Sequence, residues 1–90
     1  MNFGEAVEAL KAGKNVQREG WNGKGMFLFL VPGSTFSVAA DRPLGRICPE
    51  LVGSLVQYHA HIDMKTADNK IVPWLASQTD ILALDWEEAR

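Results

Sequence analysis

The chain has 90 residues, a formal charge of −2 and a pI near 5.6, with 47% apolar and 22% charged residues. A chain this short buries only about 60 to 65% of its unfolded surface, so the sequence predicts one folded domain, residues 1–90, with a single small core. The composition excludes a disordered chain, and the weak negative charge supplies no field to attract DNA, RNA or an anionic membrane.

In chain order, Asn2-Phe3-Gly4-Glu5 has the form of a capping box, and Phe3, Ala6, Val7 and Leu10 recur at helical spacing before Gly13. This predicts a helix over residues 3–12 that ends at the glycine. Asn15-Val16-Gln17-Arg18 reads as a brief strand. The continuous apolar run Met26 to Val31 reads as a central strand covered on both faces, stopped by Pro32-Gly33. A short strand is expected near Thr35–Val38, followed by a long irregular excursion to about residue 54. Strict alternation from Val56 to Lys65 sets Tyr58, Ala60, Ile62 and Met64 on one face and His59, His61, Asp63 and Lys65 on the other. This reads as one strand, which turns at Ala67-Asp68-Asn69 into Ile71-Val72. Ser77-Gln78-Thr79-Asp80 opens a short helix through Ile81, Leu82 and Ala83, and Leu84 to Glu87 alternates as a last strand. The fold class is therefore α+β: a small antiparallel sheet with an N-terminal helix and a short C-terminal helix.

Charge is unevenly spread along the chain. Residues 1–46 carry six basic and four acidic residues, residues 47–90 three basic and seven acidic. One half can face a phosphate while the other offers acceptors to hydroxyl groups. Cys48 stands alone, so no intrachain disulfide can form, and a reducing compartment is the expected setting. The first residues form no leader and no segment approaches the ~18 apolar residues of a membrane span, so the protein is expected to stay where it is made.

Two stretches carry candidate binding chemistry. Gly20-Trp21-Asn22-Gly23-Lys24-Gly25 offers backbone amides and a flat indole, although its spacing is neither a P-loop nor a dinucleotide fingerprint. Asn-Gly is also a strong hairpin signal, so on residues alone this is a turn first and a binding loop second. Trp74 with Ser77-Gln78-Thr79-Asp80 supplies an indole, hydroxyls and a carboxylate suited to ribose or adenine, beside the plainer reading of a core Trp and a helix cap. His59, His61 and Asp63 project from one strand face, but zinc takes three or four ligands from more than one element, so polar residues on a sheet surface or subunit interface are the preferred reading and no metal is expected. Ser34, Ser54 and Cys48 have no recognisable base beside them and no hydrolase motif occurs, so no catalytic residue is assigned.

The strings GWNGKGM, HIDMKTAD and VPWLASQTD, within MNFGEAVEALKAGKNVQREGWNGKGMFLFLVPGS and YHAHIDMKTADNKIVPWLASQTDILALDW, resemble the second Thoeris anti-defence family of phage and prophage proteins. The resemblance covers nearly the whole chain apart from residues 37–55. It implies a protein without enzymatic activity or cofactor. Such a protein binds cyclic ADP-ribose isomers (gcADPR), the signals of TIR proteins, and sequesters them in the cytoplasm of the bacterial host. Some relatives also hold cyclic dinucleotides of the CBASS defence, and members form homotetramers with ligand between subunits. Under this resemblance Trp21 and Asn22 contact base or ribose, Met26 and Phe27 line the pocket, and Trp74, Ser77, Thr79 and Asp80 complete it. Arg18 and Lys24 are physical choices for the phosphates. An enzyme that hydrolyses the same signals is the alternative.

Overall fold

A computed structural model describes residues 1–22 and 24–89. Gly23, within the glycine-rich loop, and Arg90 lie outside the described residues. The first helix, α1 (Phe3–Lys11), opens on the expected capping box: the Asn2 side chain accepts from the Glu5 amide at 2.8 Å, and the Asn2 amide donates to the Glu5 carboxylate at 2.9 Å. Gly13, at φ +87°, ends it and donates its amide to the Leu10 carbonyl.

Among the described residues, seven strands follow in two antiparallel sheets. They are β1 (Val16–Arg18), β2 (Phe27–Val31), β3 (Ser34–Ser37), β4 (Leu55–Tyr58), β5 (His61–Lys65), β6 (Ile71–Pro73) and β7 (Trp86–Glu88). The larger sheet has the order β6-β5-β2-β1-β7, and β3 pairs only with β4. Helices α2 (Pro43–Ile47) and α3 (Gln78–Leu82) complete the set. The architecture is α+β, with the N-terminal helix, antiparallel sheet and short C-terminal helix that the sequence predicts.

Register decides which side chains share a face, because directly paired residues point the same way. Val16, Leu28 and Met64 lie in one row, and Leu30 and Ile62 in the next. These face α1, where Ala6 and Leu10 meet Val16, Leu28 and Trp86 in a core whose members are at most 1% exposed. Fully burying a side chain such as Leu28 stabilises by about 1.5 to 3 kcal/mol, so this handful of residues is most of what the small chain can gather.

Three expectations need correction. The apolar run over 26–31 forms the central strand β2, but only Leu28 is fully buried; Phe27 and Phe29 project to the other face of the sheet and stay half-exposed. The alternating segment 56–65 is two strands, not one. It breaks at His59-Ala60, level with Pro32-Gly33 on the facing chain, and a Cβ on Gly33 would lie 2.9 Å from the Tyr58 carbonyl oxygen and 3.2 Å from the Ala60 amide. Both chains therefore leave the large sheet together and re-pair as β3-β4 beyond a close crossing. Finally, the excursion is not wholly irregular. Pro43 sits in the first turn of α2, where its missing amide costs nothing, and a 3₁₀ turn follows at Pro49–Leu51. Extents of 45 × 26 × 24 Å and a radius of gyration of 16.1 Å, against about 12 Å for a compact chain of this length, describe the elongated result.

Candidate functional site

The predicted site residues fall into two groups on opposite faces of the large sheet. On the core side, β1 ends at Arg18, which pairs across to Trp86 of β7. The chain then enters a 3₁₀ turn, Glu19–Trp21, that closes on Asn22 in the left-handed region at φ 59°. Asparagine tolerates that backbone, and here it leaves the Asn22 side chain exposed. Trp21 is half-buried with its ring edge-on to Trp86, centroids 5.4 Å apart. Trp74 approaches the same indole from another side at 6.1 Å and also packs on Phe3 at 6.0 Å. Both predicted tryptophans thus spend part of their surface on the core and keep part at its margin.

Arg18 binds these pieces together. Its Nε donates to Asp85 Oδ1 and its Nη1 to Asp80 Oδ1, each at 2.8 Å, with side-chain exposures of 18% for Arg18, 17% for Asp80 and 29% for Asp85. Hydrogen bonds from Arg18, then from the Gly20 amide, hold the Asp85 carboxyl below the usual carboxylate range, and the same carboxylates raise the Arg18 guanidinium above its ordinary value. A phosphate at Arg18 would have to compete with two carboxylates already in place. Lys24 is exposed.

Asp80 sits in the first turn of α3. Ser77 caps this helix by accepting from the Asp80 amide at 3.1 Å. The expected capping box is only half formed, since the Asp80 carboxylate is directed to Arg18. Thr79 is exposed. The structure therefore brings Arg18, Trp21, Trp74, Ser77 and Asp80 around Trp86, whose indole Nε1 donates to the Asp80 carbonyl at 2.8 Å.

Phe27 faces the other way. With Phe29, Lys14, Asn15 and Ile71 it lines a cleft of about 480 Å³ on the open face of the sheet. Lys65 stands over the Phe27 ring at 5.8 Å and donates to the Gly25 carbonyl at 3.0 Å, which ties the glycine-rich loop to β5. Met26, just before β2, is half-buried. A second hollow, about 680 Å³, runs on the helix side between α1 and β5, bounded by Phe3, Val7, Leu30, Ile62, Trp74 and Ala76. Both volumes lie within the usual range of small-ligand sites, roughly 300 to 1,000 Å³.

His61 lies 3.4 Å from Asp63, while among the described residues no group of three or more His, Cys, Asp or Glu side chains is arranged to hold a metal ion. Among the same residues no helix is long and apolar enough to cross a membrane. Sequence reasoning reads Trp86 as core, as the structure has it, and places neither Asp85, Trp86 nor Lys65 in the site. The alternation around Trp86 signals a strand, but no local pattern links Asp85 to a partner 67 residues away.

The chain is 49% identical over 90 residues to the Thoeris anti-defense 2 protein of Bacillus phage SP01, covering 97% of this chain and 92% of that protein. Residues 1–89, which include both tryptophan-bearing segments and every strand, match the Thoeris anti-defense 2-like domain, and the chain belongs to that family.

Proposed function

We infer that the protein is a phage anti-defence factor that disarms Thoeris by binding cyclic ADP-ribose isomers and sequestering them uncleaved in the cytoplasm of the host. The observation that carries the reading is the pair of half-buried indoles, Trp21 and Trp74, held at the margin of the core beside Ser77 and Asp80. A fixed indole offers a stacking surface at little entropic cost, and hydroxyl and carboxylate groups suit ribose. Asn22 and Thr79, exposed on the same two segments, add polar contacts to base or ribose. Cyclic dinucleotides are a second ligand class for the same protein, at a separate pocket.

Each protomer is small and its hollows are open, so a tight site calls for a second subunit. Leu75, Leu82 and Leu84, within and on either side of α3, are each more than 75% exposed, apolar side chains of the kind that subunit association covers. A homotetramer with ligand between neighbouring subunits fits that surface. The decisive experiment mixes protein with gcADPR, removes free ligand, denatures the complex and identifies what is released. Recovery of intact ligand in stoichiometric amount supports sequestration. Converted product instead supports the other reading, a hydrolase, for which the adjacent His61 and Asp63 are the residues to test.

A further inference from the structure

We propose that Asp85 is a positioning residue for the binding surface, acting through the Glu19–Trp21 turn and not by touching ligand. The inference rests on the sequestration reading for the role of Trp21, and on hydrogen bonding for the rest. Asp85 holds the turn at three points. Its Oδ2 accepts from the Gly20 amide at 2.8 Å, its carbonyl accepts from the Glu19 amide at 3.0 Å, and its Oδ1 accepts from Arg18 Nε at 2.8 Å immediately before the turn begins. Gly20 is part of the device, because a Cβ there would stand 3.0 Å from Asp85 Oδ2 and 3.5 Å from an Arg18 nitrogen. A side chain there would crowd the carboxylate and make it give by a few tenths of an ångström.

The same arginine extends the hold to the second candidate segment. Arg18 Nη1 reaches Asp80, whose amide is tied to Ser77, so one guanidinium spans the segment that carries Trp21 and the one that follows Trp74. A carboxylate that accepts one charge-assisted bond and one backbone amide fixes direction as well as distance. Trp21 is otherwise oriented by its packing against the core, the edge contact with Trp86 included. Removing the Asp85 charge should let the turn swing while the core formed by Leu28, Val16 and Leu10 stays intact.

The test uses the full chain with Asp85→Asn, which keeps the side-chain shape, and Trp21→Ala, singly and combined. Amide hydrogen exchange without ligand is followed in residues 18–22 and in β2, and gcADPR affinity is measured by calorimetry well below each variant's melting temperature. Asp85→Asn is expected to speed exchange in the turn but not in β2, and to weaken binding by about tenfold; in the Trp21→Ala background it should cost little more, because both changes act through one residue. Unchanged exchange at residues 19–22 overturns the proposal whatever the ligand result. Equal fold losses with and without Trp21 also overturn it, since Asp85 would then act on ligand directly. Failure of the unmodified protein to bind gcADPR overturns the sequestration reading instead, and the exchange result alone then decides whether Asp85 holds the turn.

Discussion

Arg18 and Asp85 lie 67 positions apart in the chain and meet through Nε and Oδ1 at 2.8 Å, where β1 ends and immediately before β7, its antiparallel neighbour at the edge of the large sheet. The pair closes the sheet where β1 runs into the Trp21 turn. Its pH dependence follows from the Asp85 carboxyl, which folding holds below its ordinary value. A depressed carboxylate stabilises the fold above its unfolded pKa, about 3.9, and that contribution is lost as pH falls through the lower folded value. The melting temperature of the unmodified protein should therefore exceed that of Asp85→Asn at pH 7, and the gap should narrow below about pH 4. Thermal melts from pH 2.5 to 7 check it; a constant gap would mean that the charge of Asp85 contributes nothing.

The N-terminal helix gives a second expectation. Asn2 and Glu5 satisfy each other's backbone amides, and α1 supplies Ala6 and Leu10 to the core, so fraying its first turn weakens the packing that follows. Asn2→Ala should cost about 1 kcal/mol, within the range for loss of a side-chain cap, whereas Asn2→Asp or Asn2→Ser should cost far less. Urea denaturation of the three variants gives the comparison. Equal midpoints for alanine and serine would show that the cap is not what stabilises this end.

At the crossing between the two sheets, Gly33 lies against backbone and not against a movable side chain. A methyl group there would approach the Tyr58 carbonyl oxygen to 2.9 Å and the Ala60 amide to 3.2 Å, so one chain must shift. Gly33→Ala is expected to destabilise by roughly 1 to 3 kcal/mol, as overpacking does. Its effect on hydrogen exchange should be greatest in β3 and β4. Gly4→Ala, where the nearest atom beyond the chain neighbours is the Asn2 side-chain oxygen at 3.4 Å, is the tolerated control.

That crossing also shows where sequence reasoning stops. The periods of α1 and β2 are local, and so are the Asn2 cap, the Gly13 stop and the turn at Ala67-Asp68-Asn69, where Asn69 takes φ 64°; all were legible. The alternation of residues 56–65 was equally clear, yet it cannot reveal that Leu55–Tyr58 pairs with a different sheet from His61–Lys65, because pairing is a contact between distant segments. The site divides in the same way. Trp21 and Trp74 stand out as residues, while their common neighbour Trp86, and Asp85 beside it, matter only through contacts that span the chain.

The opposite orientation of Trp21 and Phe27 yields the last prediction. Phe27 pairs with Lys65 on the open face, whereas Trp21 packs on Trp86 behind the sheet, so within one protomer the two cannot line the same wall of one pocket. If gcADPR is held between subunits, a neighbour's open face can meet the Trp21 margin, and both Trp21→Ala and Phe27→Ala should weaken binding by about tenfold or more, the loss expected when a stacking or apolar anchor is truncated. A variant that breaks the oligomer, such as Leu82→Glu at a side chain 76% exposed, should lose binding while its protomer stays folded. Calorimetry with solution mass measurement on all three separates the cases. Full affinity in Phe27→Ala would place the open-face cleft outside the gcADPR site and leave it to a different ligand. Full affinity in a monomeric Leu82→Glu protein would show that a single protomer completes the pocket, and the ligand would then belong in the groove beside Trp74.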